Sequence, residues 1–254
     1  MLTAEHVQAI MPGVPRQKRD ALLPYLQAAL TEFRIQTPAR AAAFLAQLAH
    51  ESGQFRFMEE IWGPTPAQRR YEPLSTLAAN LGNTEPGDGK RFKGRGPIQI
   101  TGRANYRRFG DLLGTDLVAD PARAALPELA FRIAGLFWSK KGLNELADRA
   151  THEAFREITR RINGGFNGLA DRQKFYTAAC AVLDVPLGAG TRGADRPLPL
   201  PEDEPRFERG VEAIRRSRSR TPSKTKRPAA RKAKAKPRRK TTRKHKTTRK
   251  TKKR

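Results

Sequence analysis

Four stretches of the chain place apolar residues three and four positions apart, the spacing of an amphipathic helix. In the first stretch, Thr37-Pro38 is typical of an N-cap and first helical residue, and Gly53 marks the end. The other three are predicted from about Pro127 to Gly142, from about Thr151 to Gly164, and from about Asp171 through Phe175, Ala179, Val182 and Leu183. Weaker patterns predict helices over 3–11 and 18–33. We therefore expect a mainly α domain.

The segment 62–97 breaks this regularity because prolines and glycines recur throughout it. Long irregular segments inside compact domains usually carry function. The segment leads into Ile98-Gln99-Ile100-Thr101, whose alternation of apolar and polar residues predicts one short strand. Gln99 and Thr101 would then lie on the face opposite the isoleucines and look into a cleft.

The net charge of +26 is concentrated at one end of the chain. Residues 206–254 contain 24 Lys/Arg and two acids, whereas residues 1–205 contain 27 Lys/Arg and 23 acids. The basic end has no aromatic residue after Phe207 and cannot bury enough apolar surface to offset its ordering entropy. We predict a globular domain over 1–187, a Pro- and charge-rich linker over 188–209, and a disordered Lys/Arg-rich tail over 210–254.

The basic tail is a polycation, since residues 215–254 contain 22 Lys/Arg and no acid. It is expected to bind polyanions without specificity and in a salt-sensitive way. Three targets stay open, which are the anionic polymers of a bacterial envelope, anionic lipid headgroups and nucleic acid. The tail resembles the lysine-rich tails of linker-histone-like bacterial proteins, and a purely solubilising role is a further alternative.

Several other kinds of chemistry are disfavoured. Cys180 is the only cysteine, so no disulfide forms within the chain, and its apolar helical surroundings predict a buried small hydrophobe. His50-Glu51 begins a zinc-binding His-Glu-x-x-His pattern, but the fifth position is Gln54. The remaining histidines have no ligand spacing, and Gly87-Asp88-Gly89-Lys90-Arg91 lacks the Ser/Thr of a phosphate loop. We expect neither a metal nor a cofactor.

The N-terminal residues lack the basic and apolar regions of a signal peptide, and no run of about 18 apolar residues occurs. The expectation is cytoplasmic synthesis without a transmembrane segment.

Two glutamates suggest acid/base chemistry. Glu51 falls in the last turn of the helix that Gly53 ends, and Glu60 follows nine residues later on a returning segment. Glycoside hydrolysis needs one protonated carboxyl group and one carboxylate. The carbonyls at a helix C-terminus, together with desolvation in a cleft, favour a protonated Glu51. Glu59 is an alternative to Glu60, although neighbouring side chains seldom face the same way. A solvated glutamate at a helix end is the other alternative.

Four motifs in order resemble those of glycoside hydrolase family 19, which contains chitinases and bacteriophage endolysins. They are His50-Glu51-Ser52-Gly53, Met58-Glu59-Glu60, Gly94-Arg95-Gly96-Pro97-Ile98-Gln99-Ile100-Thr101 and Ile162-Asn163-Gly164-Gly165. The likeness covers roughly residues 35–185. It implies a lysozyme-like, two-lobed, mainly α domain with a small β element. A short chain without disulfides is closer to the endolysin branch than to the plant chitinases.

The resemblance also implies roles for individual residues. Glu51 matches the general acid, and Glu60 matches the general base, which holds the attacking water together with the hydroxyl of Thr101 for inversion. Plant members commonly have serine at the Thr101 position. Positions that line the sugar cleft or brace the glutamates are matched by His50, Gln99, Asn105, Tyr106, Asn163 and Arg172. Each of these could instead serve packing, and so could Trp62, Tyr71 and Phe92, the candidates for stacking on sugar rings.

We therefore expect an inverting glycosidase that cleaves β-1,4 bonds between N-acetylated amino sugars of peptidoglycan, as a monomer that reaches the cell wall after release or export. Chitin is the alternative substrate. An alternative of another class is a non-catalytic protein that binds DNA or the envelope through the tail.

Overall fold

The computed structural model describes residues 1–188, and regular structure within them is almost entirely helical. The helices in chain order are α1 (Ala4–Ile10), α2 (Arg16–Glu32), α3 (Pro38–Glu51), α4 (Pro66–Arg69), α5 (Thr76–Leu81), α6 (Asp88–Arg91), α7 (Arg103–Leu113), α8 (Pro127–Lys140), α9 (Leu143–Ala147), α10 (His152–Asn163) and α11 (Leu169–Val182). A 3-10 turn at Pro121–Ala125 precedes α8. The prediction of a mainly α domain is confirmed. The predicted tail, and all of the linker except Gly188, lie outside the described residues.

Helix α3 forms the centre of the domain. The Thr37 side chain accepts a hydrogen bond from the amide of Arg40, and Pro38 occupies the first turn, as the sequence predicts. Every residue from Ala41 to Ala49 is buried, so the helix is enclosed by protein on all sides. Helix α11 packs along α3, while α1 and α2 pack against α11 and α8 respectively. The last two residues of α3, His50 and Glu51, directly follow this enclosed stretch.

Helices α8 and α10 begin and end close to their predicted limits, and α10 has the predicted caps at Thr151 and Gly164. Helix α11 differs in the face that it buries. Its buried residues are Arg172, Tyr176, Ala179 and Cys180, whereas Phe175, Val182 and Leu183 are only partly buried. The Tyr176 ring stacks on Phe155 at 4.1 Å, and Arg172 turns inward to polar partners. Polar and aromatic contacts therefore fix the rotation of α11.

The buried thiol of Cys180 matches the sequence prediction. Burial raises its pKa to about 11, so almost no thiolate exists at neutral pH. No helix within residues 1–188 has both the length and the apolar character needed to cross a lipid bilayer.

The segment 62–97 is less irregular than predicted because it contains α4, α5 and α6. Helix α7 was not predicted at all. Its sequence is rich in arginine, and its buried positions include Asn105 and Gly110 beside Tyr106 and Phe109, so the apolar periodicity is weak. A second apolar cluster of Tyr71, Leu77 and Leu81 forms beside the main core. We call the part of the domain that carries this cluster, from α4 to the start of α7, the small lobe, and the remaining helices the large lobe.

The predicted strand over 98–101 is wrong. Gln99 adopts a left-handed conformation with φ of 55°, so the chain turns where the alternation predicted extension. Arg95 and Ile100 close this turn with two backbone hydrogen bonds of 3.1 and 3.0 Å, and Glu59 pairs with Arg95 on its other side. The β element among the described residues is thus two isolated antiparallel bridges. All four residues of 98–101 are buried, so the predicted separation into an apolar face and an open polar face is not observed.

A buried ion pair stabilises the small lobe. Asp88 is 1% exposed and receives two hydrogen bonds from Arg103, at 2.7 and 2.8 Å. The amides of Thr84 and Glu85 donate to the same carboxylate. Burial by itself raises the pKa of Asp88, but these hydrogen bonds outweigh burial and lower the pKa below its ordinary value. The ion pair joins α6 to the start of α7.

This pair predicts acid sensitivity. Because the pKa of Asp88 is lowered by folding, its stabilising effect is complete above the ordinary value of 3.8 and is lost as the pH falls through the folded value. We expect Asp88→Asn to lose on the order of 3 kcal/mol at about pH 7. The gap between variant and wild type in thermal unfolding should narrow below about pH 4. Asp111→Asn, an exposed acid on α7, is the control. A gap that stays constant with pH contradicts the prediction.

Candidate active site

Helices α3 and α11 form the first wall of the candidate site. The last two residues of α3 are His50 and Glu51, and each contacts a residue in the first turns of α11. Nη2 of Arg172 lies 2.7 Å from Oε1 of Glu51, and Nδ1 of His50 lies 2.6 Å from Oδ2 of Asp171. Two neighbouring residues on one helix thus hold two neighbouring residues on the other. Asp171 was not predicted as part of the site.

A buried cation holds the Glu51 carboxyl group. The Arg172 side chain is only 2% exposed and that of Glu51 is 9% exposed, so their ion pair is largely shielded from solvent. The C-terminus of α3 carries this ion pair, because Glu51 is the last residue of the helix.

Asn163 is the last residue of α10 and is buried beside this wall. Its Nδ2 lies 3.5 Å from the carbonyl oxygen of Asn167, which is long for a hydrogen bond. The same carbonyl accepts from Nε of Arg172 at 3.3 Å. The loop between α10 and α11 thus connects Asn163 to Arg172.

The His50 ring lies directly against the backbone of Gly168. A Cβ atom at this position would come within 2.3 Å of the ring, and Gly168 has a φ of 69°. The backbone conformation favours glycine, and any larger residue here would displace the His50 ring. With Nδ1 held by Asp171 and one face against Gly168, the half-buried ring has a fixed orientation.

Glu60 lies on the second wall, where backbone groups hold it. Its carboxylate accepts from the amide of Gly94 at 2.9 Å and from Nε2 of Gln68 at 3.1 Å. Its own amide donates to the carbonyl of Gly94 at 2.8 Å. Gln68 also donates to the carbonyl of Ile61, which fixes the direction of its amide group. A backbone amide and a side-chain amide thus hold the Glu60 carboxylate.

Glu59 has different partners. It is exposed, and its Oε1 lies 3.0 Å from Nε of Arg95 and 3.3 Å from Nζ of Lys93. Nη1 of Arg95 donates to the hydroxyl of Tyr106, which in turn donates to the carbonyl of Lys93 at 2.6 Å. Burial raises the pKa of Tyr106, so its hydroxyl stays protonated. Glu59 and Tyr106 therefore belong to one brace around Arg95.

Gln99, Thr101 and Asn105 form a connected series at the turn. The Thr101 hydroxyl donates to the carbonyl of Gln99 at 3.0 Å, and Nδ2 of Asn105 donates to the carbonyl of Thr101 at 2.8 Å. Gln99 Nε2 donates to the carbonyls of Gly96 and Phe57, at 2.8 and 3.2 Å. All three side chains are buried. The link to Phe57 ties this turn to the segment that joins Glu51 to Glu60.

The described contacts thus gather the predicted residues into two groups. His50, Glu51, Asn163 and Arg172 form the helical wall, whereas Glu60, Gln99, Thr101, Asn105 and Tyr106 form the wall built from turns. Within residues 1–188, no three His, Cys, Asp or Glu side chains are grouped as metal ligands would be.

Comparison with known proteins identifies the family. A family model described as chitinase class I matches residues 33–150. A Haemophilus influenzae glycosyl hydrolase family 19 domain-containing protein is 38% identical over 160 residues, which cover 54% of this chain and 76% of that protein. The chain belongs to glycoside hydrolase family 19. This membership makes it a glycosidase.

Plant members of family 19 match over a smaller share of their length. An Arabidopsis thaliana endochitinase is 41% identical over 155 residues, which cover 58% of this chain and 49% of the endochitinase. The chain therefore spans about half the length of this plant relative.

Solved structures of family 19 share the fold. Chitinase C from Streptomyces griseus aligns with a TM-score of 0.58 and 22% identity over 74% of this chain and 95% of that one. A class IV chitinase from Zea mays aligns with a TM-score of 0.54 and 25% identity, again over 74% and 95%. The predicted lysozyme-like fold is confirmed.

Exposure of aromatic residues differs from the sequence prediction. Tyr71 and Phe92 are 1% and 0% exposed, so both serve packing, and the partly buried Trp62 packs against Tyr71. Phe57 and Phe166 are instead 52% and 43% exposed beside the helical wall. Sequence reasoning missed both, although each lies within three residues of a family 19 motif. The Arg156 guanidinium lies over the Phe166 ring, 4.4 Å from its centroid, so Phe57 has the more open ring of the two.

The contact between Gly168 and His50 gives a testable prediction. Gly168→Ala adds a Cβ atom where the His50 ring lies, so the ring must move, and we expect kcat to fall about tenfold or more. Gly114→Ala is the matched control because Gly114 has a φ of 64° but open space around its Cβ position. Both variants should lose about 1–2 kcal/mol of stability through backbone strain. Equal activities of the two variants would contradict the prediction.

Proposed function

We propose that this family 19 chain hydrolyses β-1,4 bonds next to N-acetylated amino sugars of peptidoglycan, by a single displacement with inversion. Glu51 acts as general acid and Glu60 as general base. The observation that carries the proposal is the presence of two carboxyl groups fixed in different ways. Arg172 holds Glu51 at 2.7 Å, and the amide of Gly94 holds Glu60 at 2.9 Å.

The proposed base has a suitable partner in Thr101. Inversion requires a water molecule held for attack on the face of the sugar opposite the leaving oxygen. The Thr101 hydroxyl gives its hydrogen to the carbonyl of Gln99, so its oxygen can accept a hydrogen bond from that water. Glu60 would take a proton from the same water during attack.

The remaining predicted residues divide by exposure into contacts and braces. His50 is half-buried and would contact sugar, whereas Asn163, Arg172, Gln99, Asn105 and Tyr106 are buried and would mainly brace the glutamates and their walls. Phe57 and Phe166 would add apolar contact with sugar rings.

Charge supports peptidoglycan over chitin. Residues 206–254 carry 24 Lys/Arg and two acids, and the envelope around peptidoglycan contains anionic polymers, whereas chitin is uncharged. A polycation attached to the enzyme would raise its local concentration on an anionic wall. In this proposal the protein is an endolysin-type enzyme that acts as a monomer at the bacterial cell wall after release or export.

Two alternatives are kept. Chitin is favoured by the names of the plant relatives, which are endochitinases. A non-catalytic protein that binds DNA or the envelope is favoured only by the tail, and the presence of Glu51, Glu60 and Thr101 together argues against it.

Product analysis tests the proposal. Purified protein is incubated separately with Gram-negative peptidoglycan and with chitin oligomers, and products are identified by mass spectrometry. We expect muropeptides from peptidoglycan, with Glu51→Gln retaining less than about a tenth of the activity because proton transfer is lost. Release from chitin alone would favour the chitinase, and silence on both substrates would favour the binding protein.

A pair of neighbouring variants provides the control for the base. Glu60→Gln should lose nearly as much activity as Glu51→Gln, by about 10²-fold or more. Glu59→Gln keeps the shape of the side chain and weakens only the contacts with Arg95 and Lys93, so its loss should be much smaller. The reverse order would assign the base to Glu59.

The tail is tested by removing residues 206–254. We expect unchanged hydrolysis of soluble oligosaccharides and weaker attack on whole walls, because only the walls offer a polyanion. Added salt should close the gap between truncated and full-length protein as it screens the charges. An equal loss on both substrates would show that the tail acts within the catalytic domain.

A further inference from the structure

A buried polar network lies behind Glu51 and includes two residues without an assigned role, Gln47 and Thr159. We propose that both are positioning residues for Glu51, which act by fixing the guanidinium group of Arg172. The inference rests on the proposed role of Glu51 as the acid.

Gln47 is a polar exception within the central helix. Of the nine buried residues of α3, the other eight are alanine, leucine or phenylalanine. A buried amide group costs about 1–3 kcal/mol when its hydrogen bonds are not made. Gln47 lies four residues before Glu51, so the two side chains share one face of α3, one turn apart. This face is the one that Arg172 approaches.

Arg172 joins the two side chains. Its Nη2 donates to Oε1 of Glu51 at 2.7 Å, and its Nη1 donates to Oε1 of Gln47 at 2.5 Å. Its Nε also donates to the carbonyl of Asn167. A planar guanidinium group with partners in three directions cannot rotate without losing one of them. Gln47 thus determines which nitrogen atom faces Glu51.

Thr159 determines the orientation of the Gln47 amide. The Thr159 hydroxyl donates its hydrogen to the carbonyl of Phe155 at 3.0 Å, so toward Gln47 it acts as an acceptor. Nε2 of Gln47 lies 2.9 Å from this hydroxyl oxygen. The amide oxygen must therefore point to Arg172, since the opposite orientation would place donor against donor. Both side chains are 1% exposed or less, so water cannot easily replace these bonds.

The chain of bonds runs from α10 through α3 to α11 and ends at Glu51. Without the Thr159 hydroxyl, the buried Nε2 of Gln47 loses its acceptor. We expect the amide group to move toward another acceptor and to displace the oxygen that holds Nη1 of Arg172. The Glu51 carboxyl group would then shift away from the leaving oxygen, and displacements near 1 Å can cost about 10²-fold in rate. We therefore expect the effect in kcat and not in KM.

Thr159→Val and Thr159→Ser test the inference, because valine keeps the volume of threonine and serine keeps its hydroxyl. We expect Thr159→Val to lower kcat about tenfold with KM on a soluble oligosaccharide unchanged, and Thr159→Ser to stay close to wild type. Gln47→Leu should resemble Thr159→Val. Thr31→Val is the control. The hydroxyl of the exposed Thr31 also donates to the carbonyl four residues earlier, that of Gln27, but Thr31 lies on α2, which contributes no residue to the network.

A second measurement reports on Arg172 directly. We compare proton–nitrogen NMR spectra of the full-length wild type and of Arg172→Lys. The Nε–H signal that disappears in the variant is the signal of Arg172. Thr159→Val and Gln47→Leu should broaden that signal, whereas Thr159→Ser and Thr31→Val should not.

Each proposal fails in a different way. The proposed function fails if wild-type protein releases no product. The inference fails if Thr159→Val and Thr159→Ser have the same kcat, even where the NMR signal changes, since Thr159 would then only stabilise the fold.

Discussion

The ion pair between Arg172 and Glu51 is the interaction on which the helical wall depends. A guanidinium group that is 2% exposed has lost almost all of its hydration, which costs several kcal/mol unless partners replace the water. Its three partners come from α3 and from the loop before α11. Satisfying this one charge therefore fixes how α11 lies along α3. The same placement brings Asp171 to His50, because Asp171 directly precedes Arg172 and His50 directly precedes Glu51.

The second wall is stabilised differently. Backbone groups supply much of the support around Glu60, as at Gly94 and at the paired residues Arg95 and Ile100. Helix α7 adds the side chains of Asn105 and Tyr106. Arg95 is the buried cation of this wall, and it is engaged by Glu59 and Tyr106. The neighbouring Glu60 receives hydrogen bonds from the amide of Gly94 and the side chain of Gln68. The hydrogen bonds described for the two adjacent glutamates thus come from different groups, because their side chains leave the backbone in different directions.

These two types of wall suit the two proposed roles. A general acid must be held against one particular oxygen atom, and a buried network of charged and neutral hydrogen bonds provides that rigidity. A general base that activates water needs a carboxylate held in a fixed direction, and the amide of Gly94 and the side chain of Gln68 hold Glu60 in this way. Glu60 and Thr101 lie on opposite sides of the paired residues 94–95, so one small set of backbone bonds supports both.

Local sequence signals were enough to predict the limits of the major helices and the position of the proposed acid, Glu51, at a helix end. Caps and apolar spacing predicted α3, α8 and α10 closely, because these signals act within one or two turns of the chain. The position of Glu51 at a helix end follows from Thr37-Pro38 and Gly53 alone. The resemblance to the family supplied the remaining candidate residues, including Arg172, which lies outside the quoted motifs.

Only the tertiary structure decided the contacts between segments that are distant in sequence. The alternation of residues 98–101 suggested a strand, but Gln99 is held in a left-handed turn by the carbonyls of Gly96 and Phe57. The inward rotation of α11 depends on buried acceptors that lie 121 and 125 residues away, on Glu51 and Gln47. Hydrogen bonds of this kind have no local periodicity, since their partners meet only after the helices have packed. The sequence determined which polar and charged groups the chain carries. Packing of the helices determined which of these groups form ion pairs and hydrogen bonds with one another.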